Sequence, residues 1–108
     1  MPITPVPAFK ESVADEATPF NVTLAVADTA EDLVSVPSSK FGRIVSLVNE
    51  GPGSIALAFD ATASAADLLI KEGEAYSEAR LEIVTNISFV NVTASQTPNV
   101  RGVLWSGD

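Results

Sequence analysis

The sequence predicts an all-β protein, an antiparallel β-sandwich of jelly-roll or barrel-like form with an extended N-terminal arm. Three observations carry that prediction. Short segments alternate large apolar with small or polar residues, the period-two signature of half-buried strands. Turn signals recur between them, as in NEGPG at residues 49–53 and KEGE at residues 71–74. No segment sustains a helical period; Ser64-Ala-Ala-Asp67 has the spacing of a capping box, but a loop is the expectation there.

Residues 1–18 read as the arm and residues 19–108 as a single domain. Pro2, Pro5 and Pro7 remove backbone donors and favour extended backbone, and Glu11, Asp15 and Glu16 add charge. The arm is read either as a tail or as a strap reaching a neighbouring subunit, with Ile3, Val6 and Phe9 as its contacts. Strands are then expected at residues 20–26, 33–36, 43–48, 54–59, 67–70, 76–84, 87–92 and 100–105. The run 43–48 (RIVSLV) is almost continuously apolar, so it is placed centrally and buried on both faces. In 54–59, Ile55, Leu57 and Phe59 face one way while Ala56 and Ala58 face the other. Sandwich and barrel share these local signals, so strand order stays open.

With 108 residues the chain is one domain. It is 46% apolar and only 19% charged, with mean hydropathy +0.27. A small domain so sparing of charge exposes apolar area that something else covers, which points to oligomerisation or docking on a larger assembly. A net charge of −8 and a pI near 4.2 argue against nucleic acid, because that binding needs clustered bases to neutralise phosphates. Lys10, Lys40, Arg43, Lys71, Arg80 and Arg101 are scattered. An acidic membrane surface is disfavoured on the same ground. The first residues lack a basic region followed by an apolar run, and no stretch approaches the roughly 20 apolar residues of a span. A soluble protein made in the cytosol is the expectation.

Cysteine and histidine are both absent from the sequence, which removes thiolate and imidazole chemistry and the metal sites built on them. The serines have no histidine to activate them, and neither Ser-x-x-Lys nor Gly-x-Ser-x-Gly occurs. Glu72 and Glu74 flank a turn glycine and read as solvated turn charges rather than as a glycosidase pair. Residues 60–67 faintly resemble a calcium loop but lack its central glycine and closing glutamate. Trp105, the sole tryptophan, reads as a core or interface residue; with Tyr76 it is alternatively a sugar-stacking platform. Arg43 and Arg101 lie in strands and are expected to pair with acidic neighbours across strands or subunits. No catalytic residue, cofactor or metal is expected.

The segments RIVSLVNEGPGSIALAFD, LLIKEGEAY, NISFVNVTA and VRGVLW, spread over residues 43–105, resemble the small β-sandwich structural proteins of tailed-bacteriophage virions. Capsid decoration (cement) proteins and related head or tail accessory proteins form that group. Glu72 stands where the group's turn commonly has proline. The resemblance implies a non-enzymatic virion protein on the capsid surface, assembled in the host cytoplasm. Its implied partner is the major capsid protein, with a homo-oligomer, a trimer above all, as the working form. Tail, neck and fibre-base proteins are the nearest alternatives, and a carbohydrate-binding sandwich using Trp105 and Tyr76 is the alternative from another class.

Overall fold

The computed structural model describes residues 14–108. Eight strands, and no helix among the described residues, make up the domain. They are β1 (Glu16–Thr23), β2 (Ala30–Ser35), β3 (Phe41–Gly51), β4 (Ile55–Phe59), β5 (Leu68–Ile70), β6 (Ala75–Glu78), β7 (Asn86–Asn91) and β8 (Asn99–Gly107). Sheet A has the order β1-β8-β3-β6 and sheet B the order β2-β7-β4-β5, each with antiparallel neighbours. The first strand pairs with the last, the second with the seventh, the third with the sixth and the fourth with the fifth. That nesting is one long hairpin rolled until β8 meets β3 and β7 meets β4. The sandwich is therefore a jelly roll.

Alternation fills the space between the sheets. Phe20 and Val22 of β1, Val45 and Leu47 of β3, Ile55 and Leu57 of β4, Ile87 and Phe89 of β7, and Val100 and Leu104 of β8 form its core. Phe20 and Phe89 meet across the two sheets with ring centroids 6.2 Å apart. Burying side chains of this kind stabilises a fold by roughly 1.5–3 kcal/mol each. Outside sheet B lies a second, smaller cluster of Ala56, Ala63 and Val90, with Ala30, Ala58 and Val92 against it. The loop of residues 60–67 provides this roof: Ala63 N–H donates to the buried hydroxyl of Ser88 (3.0 Å).

The edges resist strand addition. Pro19 interrupts the donors of β1, a register shift between Asp32 and Val34 kinks β2, and β5 and β6 are short.

Several strand boundaries and one burial assignment differ from expectation; β2 begins three residues earlier, at Ala30, and β3 runs three residues further, to Gly51. Strand β1 begins at Glu16, inside the segment read as arm, because Asp15 N–H already bonds the Ser106 carbonyl (3.0 Å) and Lys40 holds both Asp15 and Glu16 at 3.0 Å. It also stops at Thr23 rather than 26, where Leu24 turns to bond the Pro98 carbonyl. The strand expected over 76–84 ends at Glu78, since Arg80 takes a positive φ of 65°. Finally, β3 is central as expected but is buried on one face only: Val45 and Leu47 are buried, while Ile44 and Val48 are half-exposed.

Asp60 fixes the irregular segment that follows β6. Its carboxylate accepts the N–H groups of Val84 and Thr85 at 2.7 Å, the Thr85 hydroxyl at 2.9 Å and the Asn86 N–H at 3.3 Å. Partial burial opposes its ionisation, but these donors outweigh burial and hold the carboxyl below its ordinary value. A depressed folded-state pKa means that the stabilisation is complete above the unfolded value and is lost as pH falls below about 4. Asp60→Ala is expected to cost about 2 kcal/mol in urea denaturation at pH 7, through the lost charged bonds and a positive φ that alanine resists. Asp60→Asn, which keeps one acceptor and tolerates that backbone, is expected to cost about half as much.

Candidate functional site: the outer face of sheet A

Cross-strand register determines which residues look outward from sheet A. Val100 and Leu104 enter the core, so Arg101, Val103 and Trp105 point away from it. Their partners share that face: Ala17, Trp105 and Ile44 form one row, and Pro19, Val103, Ser46 and Ser77 the next. Asn21, Arg101, Val48 and Ala75 form the third. The Ser46 and Ser77 hydroxyls are bonded at 3.0 Å, which confirms that β3 and β6 show this side together. None of Trp105, Val103, Ile44 or Val48 packs on the core clusters. The result is a surface whose rows through Trp105 and Val103 carry no charge and whose third row carries Arg101.

Both ends of the face are polar. At one end Arg43 sits in the β-bulge between Gly42 and Ile44, its guanidinium 4.9 Å over the Phe41 ring and 3.7 Å from the Glu82 carboxylate. At the other, Asn99 joins Asn21 (2.7 Å), Glu50 (2.8 Å) and Thr23 (2.9 Å), and Arg101 reaches Glu50 at 3.3 Å. Trp105, Arg43 and Arg101, each singled out separately in the sequence, thus belong to one surface. Each arginine pairs with an acid of its own chain. Ile3, Val6 and Phe9 lie outside the described residues.

Tyr76 is placed on the opposite side of the same sheet. It pairs with Leu47 and packs against the core, and burial together with the nearby Glu78 charge raises its hydroxyl pKa. Trp105 and Tyr76 therefore do not share a concave face, which counts against a two-aromatic sugar platform.

The remaining polar candidates hold the fold. Glu72 Oε1 accepts the Gly53 N–H (2.9 Å) and so ties the 71–74 turn to the 49–53 turn, while Glu74 Oε1 accepts the Lys71 N–H (2.6 Å) and closes its own turn. Asn91, part of a formal glycosylation sequon, is fully buried and donates to the Gln96 carbonyl (2.6 Å) while accepting the Thr93 N–H (2.9 Å). Among the described residues, no cluster of three acidic side chains has the geometry to hold a metal ion.

What sequence reasoning missed is the outward row itself. The run 43–48 is read as buried on both faces, which hides Ile44 and Val48, and Ala17 falls in the segment read as arm. The chain matches no family model and no curated relative.

Proposed function

We propose that this chain is a non-enzymatic virion structural protein, a capsid decoration or cement protein that binds and stabilises the major-capsid lattice. The observation that carries the reading is the bare face of sheet A. A domain with net charge −8 keeps two neighbouring rows of this sheet free of carboxylates and leaves its only tryptophan half-buried there. Surfaces of that kind mark interaction sites. The jelly roll adds an analogy, since capsid domains use it, as do lectins and enzymes.

Stabilisation of the shell follows from mass action: a ligand that binds only the assembled lattice raises its stability. Many weak contacts gain by avidity when each copy engages more than one subunit. Residues 1–13, with Ile3, Val6 and Phe9, supply the second contact in this reading, as an extended segment laid on the shell.

The test is co-sedimentation of the purified protein with empty capsid shells of the virus that encodes it. Removing residues 1–13 spares β1 and the Lys40 ion pairs, and it is expected to weaken lattice binding at least tenfold while leaving the domain folded. Unchanged binding would remove the arm from the mechanism. Absence of binding by the full chain would remove the decoration role. Copy number in purified particles separates the neighbouring roles. A number that scales with the major capsid protein fits decoration, and one fixed to a single vertex fits a tail, neck or fibre-base part.

A further inference from the structure

We infer that the domain is an internal repeat, two copies of one four-strand unit (β1–β4 and β5–β8), in which Asn91 is the counterpart of Asn49 and each asparagine locks its own pair of loops. The repeat belongs to the domain's construction and does not rest on the virion reading.

Topology permits it. Advancing every strand by four turns the order β1-β8-β3-β6 into β5-β4-β7-β2, which is sheet B read from its other edge. Any jelly roll with nested pairing allows that exchange, so the side chains decide. Val45-Ser-Leu-Val-Asn49 lies in β3 and Ile87-Ser-Phe-Val-Asn91 in β7, with the serine, the second valine and the asparagine shared. Cross-strand register repeats with them. Ala75 and Tyr76 stand opposite Val48 and Leu47, as Ala30 and Glu31 stand opposite Val90 and Phe89. Gly102 and Val103 pair with Leu47 and Ser46, as Leu57 and Ala58 pair with Phe89 and Ser88.

The two asparagines are fully buried and make corresponding bonds. Each Oδ1 accepts the N–H two residues on, at Gly51 (2.8 Å) and at Thr93 (2.9 Å). Each amide donates to a carbonyl of the loop that follows, at Gly53 (2.9 Å) and at Gln96 (2.6 Å). Each backbone carbonyl accepts an N–H from a loop between two other strands, at Gly73 (2.7 Å) and at Asp28 (3.0 Å). Gly73 and Asp28 precede Ala75 and Ala30 by two residues, and both take a positive φ, 84° and 57°. Gly53 and Ser95, four residues past each asparagine, also share a positive φ, 92° and 64°. Shared topology requires none of these matches. Asn49 thus binds the β3–β4 loop to the β5–β6 loop, and Asn91 binds the β7–β8 loop to the β1–β2 loop.

One inward position differs in character. Tyr76 packs against the core, whereas Glu31, its counterpart, has a carboxylate oxygen that is buried without a hydrogen-bond partner. In a repeat the space beside Phe89 corresponds to the space beside Leu47, and it accepts a ring in place of a buried acceptor that costs stability.

Two measurements on the full chain test this. In amide hydrogen exchange, Asn49→Ala is expected to speed Gly51 and Gly73 about tenfold relative to core-strand amides and to leave Thr93 and Asp28 unchanged. Asn91→Ala is expected to do the reverse. Glu31→Tyr is expected to raise the urea midpoint above wild type, whereas a ring forced into a site unlike that of Tyr76 would lower it. If both alanine variants loosen all four amides alike, the loops share one lock and the inference is overturned. Wild-type exchange at Thr93 and Asp28 in Asn91→Ala would overturn it as well, as would a Glu31→Tyr midpoint at or below wild type. Should Asn91→Ala fail to fold, Glu31→Tyr decides alone.

Discussion

Asn49→Ala is expected to cost about 3–4 kcal/mol, a large part of the roughly 5–15 kcal/mol that holds a domain of this size together. Asn49 is fully buried at the end of β3, where sequence alone reads it as one more turn residue of NEGPG. Its amide donates to the carbonyls of Gly53 (2.9 Å) and Ile70 (3.0 Å), and its Oδ1 accepts the Gly51 N–H (2.8 Å). Its backbone bonds Glu74 and Gly73 on the other turn. One side chain thus locks the β3–β4 turn onto β5. Alanine leaves those groups without partners, at about 1–3 kcal/mol for each that water cannot reach. Guanidinium denaturation should show a lower midpoint with an unchanged slope.

Asn49→Asp makes the same argument sharper. The carboxylate keeps the acceptor for Gly51 but sets a second oxygen against two carbonyls. It should be at least as damaging as alanine at pH 7. Those carbonyls favour the protonated form, which raises the folded-state pKa, so stability should recover as pH falls from 7 towards 5. An aspartate variant as stable as wild type at pH 7 would show that the amide bonds contribute little.

These cases mark what the sequence could and could not show. Each strand expected from alternation meets an observed one, because alternation and turn chemistry are local properties. The 76–84 segment breaks that rule for a non-local reason: the donors of Val84 and Thr85 go to Asp60, across the fold and invisible to any short window. Strand order was unreadable for the same cause, since β1 and β8 pair from opposite ends of the chain. The misplacement of Ile44 and Val48 has another origin. A continuous apolar run looks alike whether its second face is roofed by the protein or left partly exposed, as it is at Ile44 and Val48. Trp105, Arg43 and Arg101 were legible as residue types, but their sharing one surface depends on β3 and β8 being neighbours.

Gly102→Ala is the second large expected effect, at about 3 kcal/mol or more. Gly102 sits in the middle of β8, between Phe20 of β1 and Leu47 of β3. A Cβ there would lie 2.7 Å from the Leu47 Cβ and 2.8 Å from its Cα, and closer still to the Ser46 carbonyl oxygen. Opposed Cβ atoms ordinarily stand about 4.5–5.5 Å apart across a ladder. These contacts involve backbone that no rotamer change can move, so relief requires β8 and β3 to separate. Gly73→Ala provides the contrast. Nothing lies within 4 Å of its new methyl, and only the positive φ of 84° resists, so about 1 kcal/mol is expected. The comparison separates a steric cause from a conformational one. It also bears on the surface, because parting β8 from β3 displaces Val103 and Trp105 from Ser46 and Ile44. A Gly102→Ala protein kept folded at low temperature should therefore show a shifted Trp105 emission, while Gly73→Ala keeps the wild-type spectrum. An equal shift in both variants would mean that global stability, rather than the β3–β8 contact, sets the surroundings of Trp105.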